Sequence, residues 1–478
     1  MIKVYSRVLE KKGRHMRNFL QAHIKFTFST LLLLFFAFNL NAKNLKLDSA
    51  LMAAYQNNPT LLAERAKLRS TDEGVPQALA NWRPDISIST GASYSDVLST
   101  NSTGSSREQW RNSHSYGIDI TQSLYRGGRT AIQIEEAENN VLADRAGLMD
   151  TEQTVFLEVI SAFMDVFREK AVLELNTENE NVLKRQLEAT SDRFQVGEIT
   201  QTDVNQAEAR LAQASADRVK SEGDLEVSRS IYLNVVGEPA PGELSEVIIP
   251  TKLPKSKEEA LKIAAVKNPK VIRAEFSRLA ALNNVDDIRG ELFPELTLTG
   301  SWDRAFEGSA EQGRVDTAKV SLDLSIPIYQ QGAVYSRLRQ AKQQVTQKAF
   351  LLDKERRNAI QNASKSWESL KSAKAQVSSF NAQIEANVVA LEGVQREASV
   401  GSRTVLDVLD AEQELRDSRV SHIRARRDEL VAMYELKASL GQLTARAIGL
   451  PVQLYDHRVH YKEIREKWIG SGFLGGKN

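Results

Sequence analysis

The chain has 478 residues, with 63 Lys/Arg against 62 Asp/Glu and no cysteine. The missing cysteine excludes disulfides, thiolate metal sites, a cysteine nucleophile and a lipid-modified N-terminal cysteine. Balanced charge offers no basic surface for nucleic acid, and a chain of this length normally makes two or more domains.

Residues 1–42 read as a secretion signal. Lys11, Lys12, Arg14, Arg17 and Lys25 precede the apolar run Leu31 to Phe38, and Leu40-Asn41-Ala42 offers a small-residue cleavage site. Met16 would start a signal of ordinary length. The competing reading is a membrane anchor, but the apolar run is short of the about 20 residues a helical span needs. Removal takes away seven Lys/Arg and one Glu, so the net charge of +1 falls by six, to −5. The rest of the chain has no apolar run of spanning length, so any membrane insertion there has to use strands.

Beyond the signal the chain is an internal repeat. Ala50-Leu51, Ala54, Asn58-Pro59 and Pro84 recur as Ala260-Leu261, Ala264, Asn268-Pro269 and Pro294, at an offset of 210. Leu124-Tyr125 and Gly128 recur as Ile328-Tyr329 and Gly332, at an offset of 204, so the second copy lacks six residues between Pro294 and Tyr329. This places the first repeat at 43–238, a proline-rich linker at 239–254, the second repeat at 255–445 and a tail without helical pattern at 446–478.

Each copy opens with a segment of helical composition, Leu47 to Asn81 and Lys257 to Leu292. The hydrophobic period then switches to two. Ile86, Ile88, Thr90, Ala92 and Tyr94 alternate with Ser87, Ser89, Gly91, Ser93 and Ser95; Tyr116, Ile118, Ile120 and Leu124 oppose Gly117, Asp119, Thr121 and Ser123. In the second copy Leu296, Leu298 and Trp302 oppose Thr297, Thr299, Ser301 and Asp303. Ala318, Val320, Leu322, Leu324, Ile326 and Ile328 likewise oppose Lys319, Ser321, Asp323 and Ser325. These segments predict four membrane strands, joined by far-side loops at 96–113 and 303–316. The alternative is a soluble antiparallel sheet, which would need a covering layer. Four strands are too few for a closed barrel, whose small end is about 8, so other copies must pair the edges; two, three or four copies are open on this count.

Gly128 to Val196 and Gly332 to Val400 contain no proline, and each predicts a helix of ~100 Å. Phe156, Ile160, Phe163 and Phe167 mark a packing stripe on one, and Ile360, Ala363, Trp367 and Leu370 on the other. Each ends in the same turn: Val196-Gly197-Glu198-Ile199-Thr200-Gln201-Thr202-Asp203-Val204 and Val400-Gly401-Ser402-Arg403-Thr404-Val405-Leu406-Asp407-Val408. Gly197 and Gly401 can end a helix in the left-handed conformation, Thr200 and Thr404 can cap the next, and Asp203 and Asp407 complete a capping box. Shorter return helices come next, Asp203 to Val235 and Asp407 to Leu440. The tips differ at Arg403, where the first copy has Ile199, and at Asp410, where it has Gln206.

The duplicated helix-strand-strand-long helix-helix plan resembles the TolC-like outer membrane efflux proteins. So do the junctions Leu124-Tyr125-Arg126-Gly127-Gly128 and Ile328-Tyr329-Gln330-Gln331-Gly332 and the twin V-G-x-x-T-x-x-D-V turns. The resemblance implies a membrane α+β fold: a homotrimer with a shared 12-stranded β-barrel continued by a long α-helical coiled-coil tunnel. It implies an outer-membrane location in a Gram-negative cell, with the tunnel in the periplasm. Function would be that of a passive exit duct of a tripartite efflux or type I secretion system. The implied partners are outer-membrane lipid, a periplasmic adaptor and an inner-membrane ABC or proton-driven pump.

In such a trimer Arg403, beside Thr202 and Asp203, could hold the entrance shut through charge-assisted hydrogen bonds. The resemblance supports that closing role, although a tyrosine five residues before the arginine in the family is Ala398 here. Asp407 and Asp410 from three chains would form a carboxylate ring that raises its own pKa values and attracts cations; the plainer readings are capping and a solvated helix face. Val196, Gly197, Thr200, Val400, Gly401 and Thr404 would form the tips that meet the adaptor.

No phosphate-binding loop, nucleophile elbow or zinc-protease signature is present, so the chain is not read as an enzyme and no cofactor or metal is expected. His457 and His460 in the tail read as surface residues of a loop, His114 and His422 stand alone, and Arg424, Arg426 and Arg427 read as a solvated face paired with Asp428 and Glu429. The alternative function is a non-transport periplasmic or surface coiled-coil structural protein.

Overall fold

The computed structural model describes residues 47–241, 253–307 and 313–471. The expected secretion signal and most of the expected linker lie outside the described residues. The helices and strands belong to one unit, Leu47–Ala240 with Ile248–Asn478.

The first copy runs α1 (Leu47–Asn57), α2 (Pro59–Asp72), α3 (Gly74–Ala80), β1 (Asp85–Thr100), β2 (Ser106–Arg126), α4 (Arg129–Gln195) and α5 (Gln201–Val236). The second runs α6 (Lys257–Lys267), α7 (Pro269–Gly290), β3 (Glu295–Phe306), β4 (Arg314–Ser325), α8 (Ala333–Ser399) and α9 (Val405–Ser439). The twin Asn-Pro motif has a physical reason. Asn58 Oδ1 accepts from the amides of Thr60 and Leu61 at 3.0 and 3.3 Å, while its Nδ2 donates to Val235 O at 2.9 Å. Asn268 repeats this with Lys270 N and Ser439 O, both at 3.0 Å. Each asparagine thus caps a helix that starts on proline and also pins the end of its own copy's return helix.

The long helices α4 and α8 have 67 residues each, or ~100 Å, and both start from a left-handed glycine, Gly128 and Gly332. On α4 the expected stripe is buried through Phe156, Ile160 and Phe163, with Phe163 against Tyr232 of α5 at a ring separation of 6.5 Å. Phe167 leaves the stripe and is exposed. On α8 the core residues are Ala363 and Leu370, packed with Ala260 and Ala264 of α6 and with Leu436 and Leu440 at the end of α9; Trp367 lies at its margin. No helix among the described residues is long and apolar enough to cross a membrane.

The four strands form one antiparallel sheet in the order β1-β2-β3-β4. Its register confirms the two faces. Ile88, Ile118, Trp302 and Ala318 form one row, and Ile86, Ile120, Gly300 and Val320 the next. On the other face Ser87, Asp119, Ser301 and Lys319 form a row beside Ser89, Gly117, Asp303 and Thr317. The far-side loops are shorter than expected: β1 continues to Thr100, β2 begins at Ser106, β3 reaches Phe306 and β4 begins at Arg314. Charged residues hid the alternation there, but pairing persists, and Tyr94 stacks on Trp110 at 5.6 Å. Conversely β4 stops at Ser325, before Ile326 and Ile328, because the intervening Pro327 has no amide to donate.

The tail is also a correction. It holds α10 (Ala445–Ile448) and α11 (His457–Arg465), and α11 packs on α2 and α3. His457 and His460 therefore lie on a helix, with His460 Nδ1 3.2 Å from Asp72 Oδ2.

Candidate functional site: the paired helix tips and the outer face of the sheet

Both long helices end in the same motif. Gly197 has φ +81° and Gly401 φ +80°. The amides of Gly197 and Glu198 donate to Phe194 O and Arg193 O, and those of Gly401 and Ser402 to Ala398 O and Glu397 O. These are the two bonds of a Schellman stop, and Val196 and Val400 are the residues at which the helices end.

The restart is equally matched. Thr200 N donates to Asp203 Oδ2 at 2.9 Å and Asp203 N to Thr200 Oγ1 at 3.4 Å; the corresponding Thr404–Asp407 bonds measure 2.8 and 3.3 Å. Hydrogen bonds from Thr200 hold the Asp203 carboxyl below its ordinary pKa. Those from Thr404, helped by Arg403, do the same for Asp407. Within one chain these capping donors favour the charged form of Asp407.

Arg403 does not reach the first tip. Its Nε donates to Glu397 Oε2 at 2.9 Å and its Nη1 lies 4.0 Å from Asp407 Oδ1, so it serves its own tip. Thr202 stands exposed in the first turn of α5. Asp410 is not a bare carboxylate either: its Oδ1 accepts from Arg210 Nη2 at 2.5 Å. This bond joins the α8/α9 hairpin to the α4/α5 hairpin, and two more lie further along α9. Arg416 Nη1 donates to Asp217 Oδ2 at 2.8 Å, and Arg427 Nε to Asp165 Oδ1 at 2.9 Å, with its Nη2 on Ser161 Oγ at 2.8 Å. Arg427 is therefore a largely buried bridge with only 19% of its side chain exposed, and Asp428 is a secondary partner.

Among the described residues no group of three or more His, Cys, Asp or Glu could hold a metal ion.

At the other end of the long helices the sheet carries its apolar residues in the open, Ile88 and Val320 at 80% exposure. The polar residues of β2 are the sheltered ones: Gln109, Arg111, Ser113, Gly117 and Asp119 are each less exposed than their even-numbered neighbours. A Cβ on Gly117 would lie 2.7 Å from Ser89 Oγ and 2.8 Å from Asp303 Oδ1. The sheet thus curls toward its polar face, the curvature of a barrel with a hydrated lumen and a lipid-facing exterior. Trp82, Tyr125 and Phe293 sit exposed at one end of the apolar band and Tyr94 and Trp110 at the other, as interfacial aromatic girdles do.

The sequence matches the family described as Outer membrane efflux protein over residues 50–230 and 260–442. It is 32% identical over 425 residues to the outer membrane efflux protein BepC of Brucella suis biovar 1 (strain 1330), covering 89% of this chain and 91% of that protein. To the outer membrane protein TolC of Escherichia coli (strain K12) it is 26% identical over 461 residues, covering 88% of this chain and 90% of that protein. Its fold is similar to that of the outer membrane protein VceC from Vibrio cholerae, with a TM-score of 0.72 at 17% identity, covering 83% of this chain and 96% of that one. The chain belongs to the outer membrane efflux protein family, with its four strands part of a β-barrel in the outer membrane of a Gram-negative cell and its long helices part of a periplasmic tunnel.

Proposed function

We propose that three copies of this chain share a 12-stranded barrel and act as the passive exit duct of a tripartite efflux or type I secretion system. The observation that carries the reading is the curled four-stranded sheet with both edge strands open. Its apolar outside needs lipid, its edges need other copies, and its strands feed through left-handed glycines into the 67-residue helices. No catalytic step is assigned.

The narrow end is formed by the two tips of each copy, and the turns at Val196, Gly197, Thr200, Val400, Gly401 and Thr404 present matched surfaces to a periplasmic adaptor. That adaptor couples the duct to an inner-membrane ABC or proton-driven pump. Arg403 exchanges its Glu397 partner for Thr202 and Asp203 of a neighbouring tip in the closed trimer. Asp407 and Asp410 lie at the entrance and favour cations. The test is membrane fractionation with heat-modifiable migration on gels, followed by single-channel recording in planar bilayers. An outer-membrane oligomer that conducts is expected; release as a soluble monomer overturns the reading.

A further inference from the structure

The tail climbs alongside the opening helices of the chain. Tyr455 N donates to Tyr55 Oη of α1 at 2.9 Å. His460 of α11 meets Asp72 at the end of α2, and Arg465 Nη1 donates to Glu138 Oε1 of α4 at 2.5 Å. Arg83 comes next, just before β1. Its Nη1 donates to Lys467 O at 2.8 Å, and its guanidinium carbon lies 4.9 Å from the centre of the Trp468 ring. The partners Tyr55, Asp72 and Arg83 follow one another toward β1, so the tail arrives beside the foot of the sheet.

That foot is one end of the apolar band. Arg83 follows Trp82, one of the aromatic residues exposed there, and Trp82 O accepts from Gln122 Nε2 of β2 at 3.1 Å, which ties this corner to the sheet. Trp468 and Ile469 bring two more large apolar side chains to the corner, 67% and 90% exposed. The guanidinium against the indole is a cation–π contact; it holds the ring beside the band without burying it. Water is a poor neighbour for so bare an isoleucine, and the strand face that the corner adjoins is the one that meets lipid. Lys467, also exposed, adds an ammonium suited to the phosphates of lipid headgroups.

We propose that the tail is a lipid anchor, with Trp468 and Ile469 seated in the periplasmic leaflet of the outer membrane, the indole at the headgroup level and Lys467 near the phosphates. The occupant of the corner is phospholipid, because the corner continues the lipid-facing band of β1 and β2. The consequence is mechanical. Tyr455, His460 and Arg465 bind the tail to α1, α2 and α4, so an anchored tail fixes the helices below the sheet to the membrane surface as well as to the strands. Arg83 is the positioning residue that aims Trp468 at the bilayer. The anchor rests on the barrel placement, not on the number of copies that close the barrel.

A chain without cysteine allows one label at a time. In vesicles of phosphatidylethanolamine and phosphatidylglycerol, a spin label on Ile469→Cys is expected to be reached by oxygen and shielded from a water-soluble nickel chelate. Its oxygen-to-nickel accessibility ratio should be several-fold above that of a label on Arg458→Cys, in the first turn of α11. Fluorescence of Trp468, taken as the difference between wild type and Trp468→Phe, is expected to be quenched by lipids brominated near the headgroup. Most of that quenching should be lost in Arg83→Gln; unchanged quenching there refutes the role of Arg83. Heat-modifiable oligomers and conductance are expected to persist in all these variants, which separates loss of the anchor from loss of the fold. Equal accessibility ratios at the two positions, or quenching of Trp468 by aqueous iodide alone, overturn the anchor and leave a solvated tail. Shielding from every quencher overturns it too, by showing that protein covers the corner. A wild-type chain that does not insert into the vesicles overturns the barrel placement and the anchor together.

Discussion

His460 Nδ1 lies 3.2 Å from Asp72 Oδ2, tying α11 at the end of the chain to the last residue of α2 near its start. Asp72 is 1% exposed, and its other carboxylate oxygen has no partner among the described residues. Burial raises its pKa, against the opposing pulls of His460 and Arg145. A carboxyl raised in the folded state keeps its proton to higher pH than in the unfolded chain. Its contribution to stability is therefore fully present below the ordinary aspartate range and is lost as pH climbs through the raised value. Amide exchange in α11, corrected for its intrinsic pH dependence, is expected to quicken as pH rises through that window, and Asp72→Asn to remove the dependence. Equal protection of α11 in both proteins at every pH would contradict this.

The junction from β2 to α4 turns on two adjacent glycines that differ in surroundings. Gly127 has φ +63°, and a Cβ there would lie 2.3 Å from Gly290 O and 3.0 Å from Phe293 Cβ; Gly128 has φ +80° with nothing within 4 Å. Alanine at Gly128 meets only the left-handed strain, about 1–2 kcal/mol. At Gly127 it also meets a carbonyl that no rotamer change can move. Gly127→Ala is expected to abolish heat-modifiable oligomers, whereas Gly128→Ala only lowers the temperature at which they dissociate. Equal effects would show that the strand-to-helix junction has room to shift.

Much of this organisation was legible because its chemistry is local. The stop at Gly197 and restart at Thr200 lie within a few residues, and so does their second copy. The sheet faces were legible from a period of two, until Asp96 and Glu108 interrupted it at the far end. The bridges were not legible, because Arg210 and Asp410 are 200 residues apart, and Arg427 and Asp165 are 262 apart. An arginine on a long helix reads as solvated until the facing helix is known. The repeat itself held the usable signal: an arginine with glycine or alanine at its counterpart, as at Arg427 and Gly223 or Arg416 and Ala212, marks a place where the two copies meet different neighbours. Arg403, with Ile199 at its counterpart, also differs between the copies, but its partner is Glu397 on the same tip, a helical stop being close enough to capture its own arginine.

The two faces of the sheet give a direct test of which side meets lipid. Val320 is 80% exposed on the apolar face and adjacent Ser321 points to the polar side. Arginine at a lipid-facing position near the bilayer midplane costs about 2–4 kcal/mol, and in the lumen it stays hydrated. Val320→Arg is expected to reduce the amount of protein reaching the outer membrane, with Ser321→Arg assembling normally and changing only ion selectivity. The reverse ranking would turn the sheet inside out.

In the proposed trimer Arg403 would have a choice between holding its own tip and holding the neighbour's. The bond to Glu397, at 2.9 Å, joins side chains about half exposed, and such a solvated pair contributes little to stability. The tip folds without it, since the Thr404–Asp407 box supplies the helix start. Because Thr404 holds Asp407 below its ordinary pKa, that box is intact above the usual aspartate range and is lost only as pH falls through the lowered value. Thr404→Ala removes the cap at a cost of about 1 kcal/mol and should speed amide exchange in the first turn of α9, as Thr200→Ala should in α5. Arg403→Ala should leave that exchange unchanged and still raise leak conductance in bilayers. Glu397→Gln releases Arg403 for Asp203 of the adjoining copy and is expected to lower the leak below wild type. If Arg403→Ala conducts as wild type and Glu397→Gln has no effect, the arginine is a local brace and the entrance is closed by other contacts.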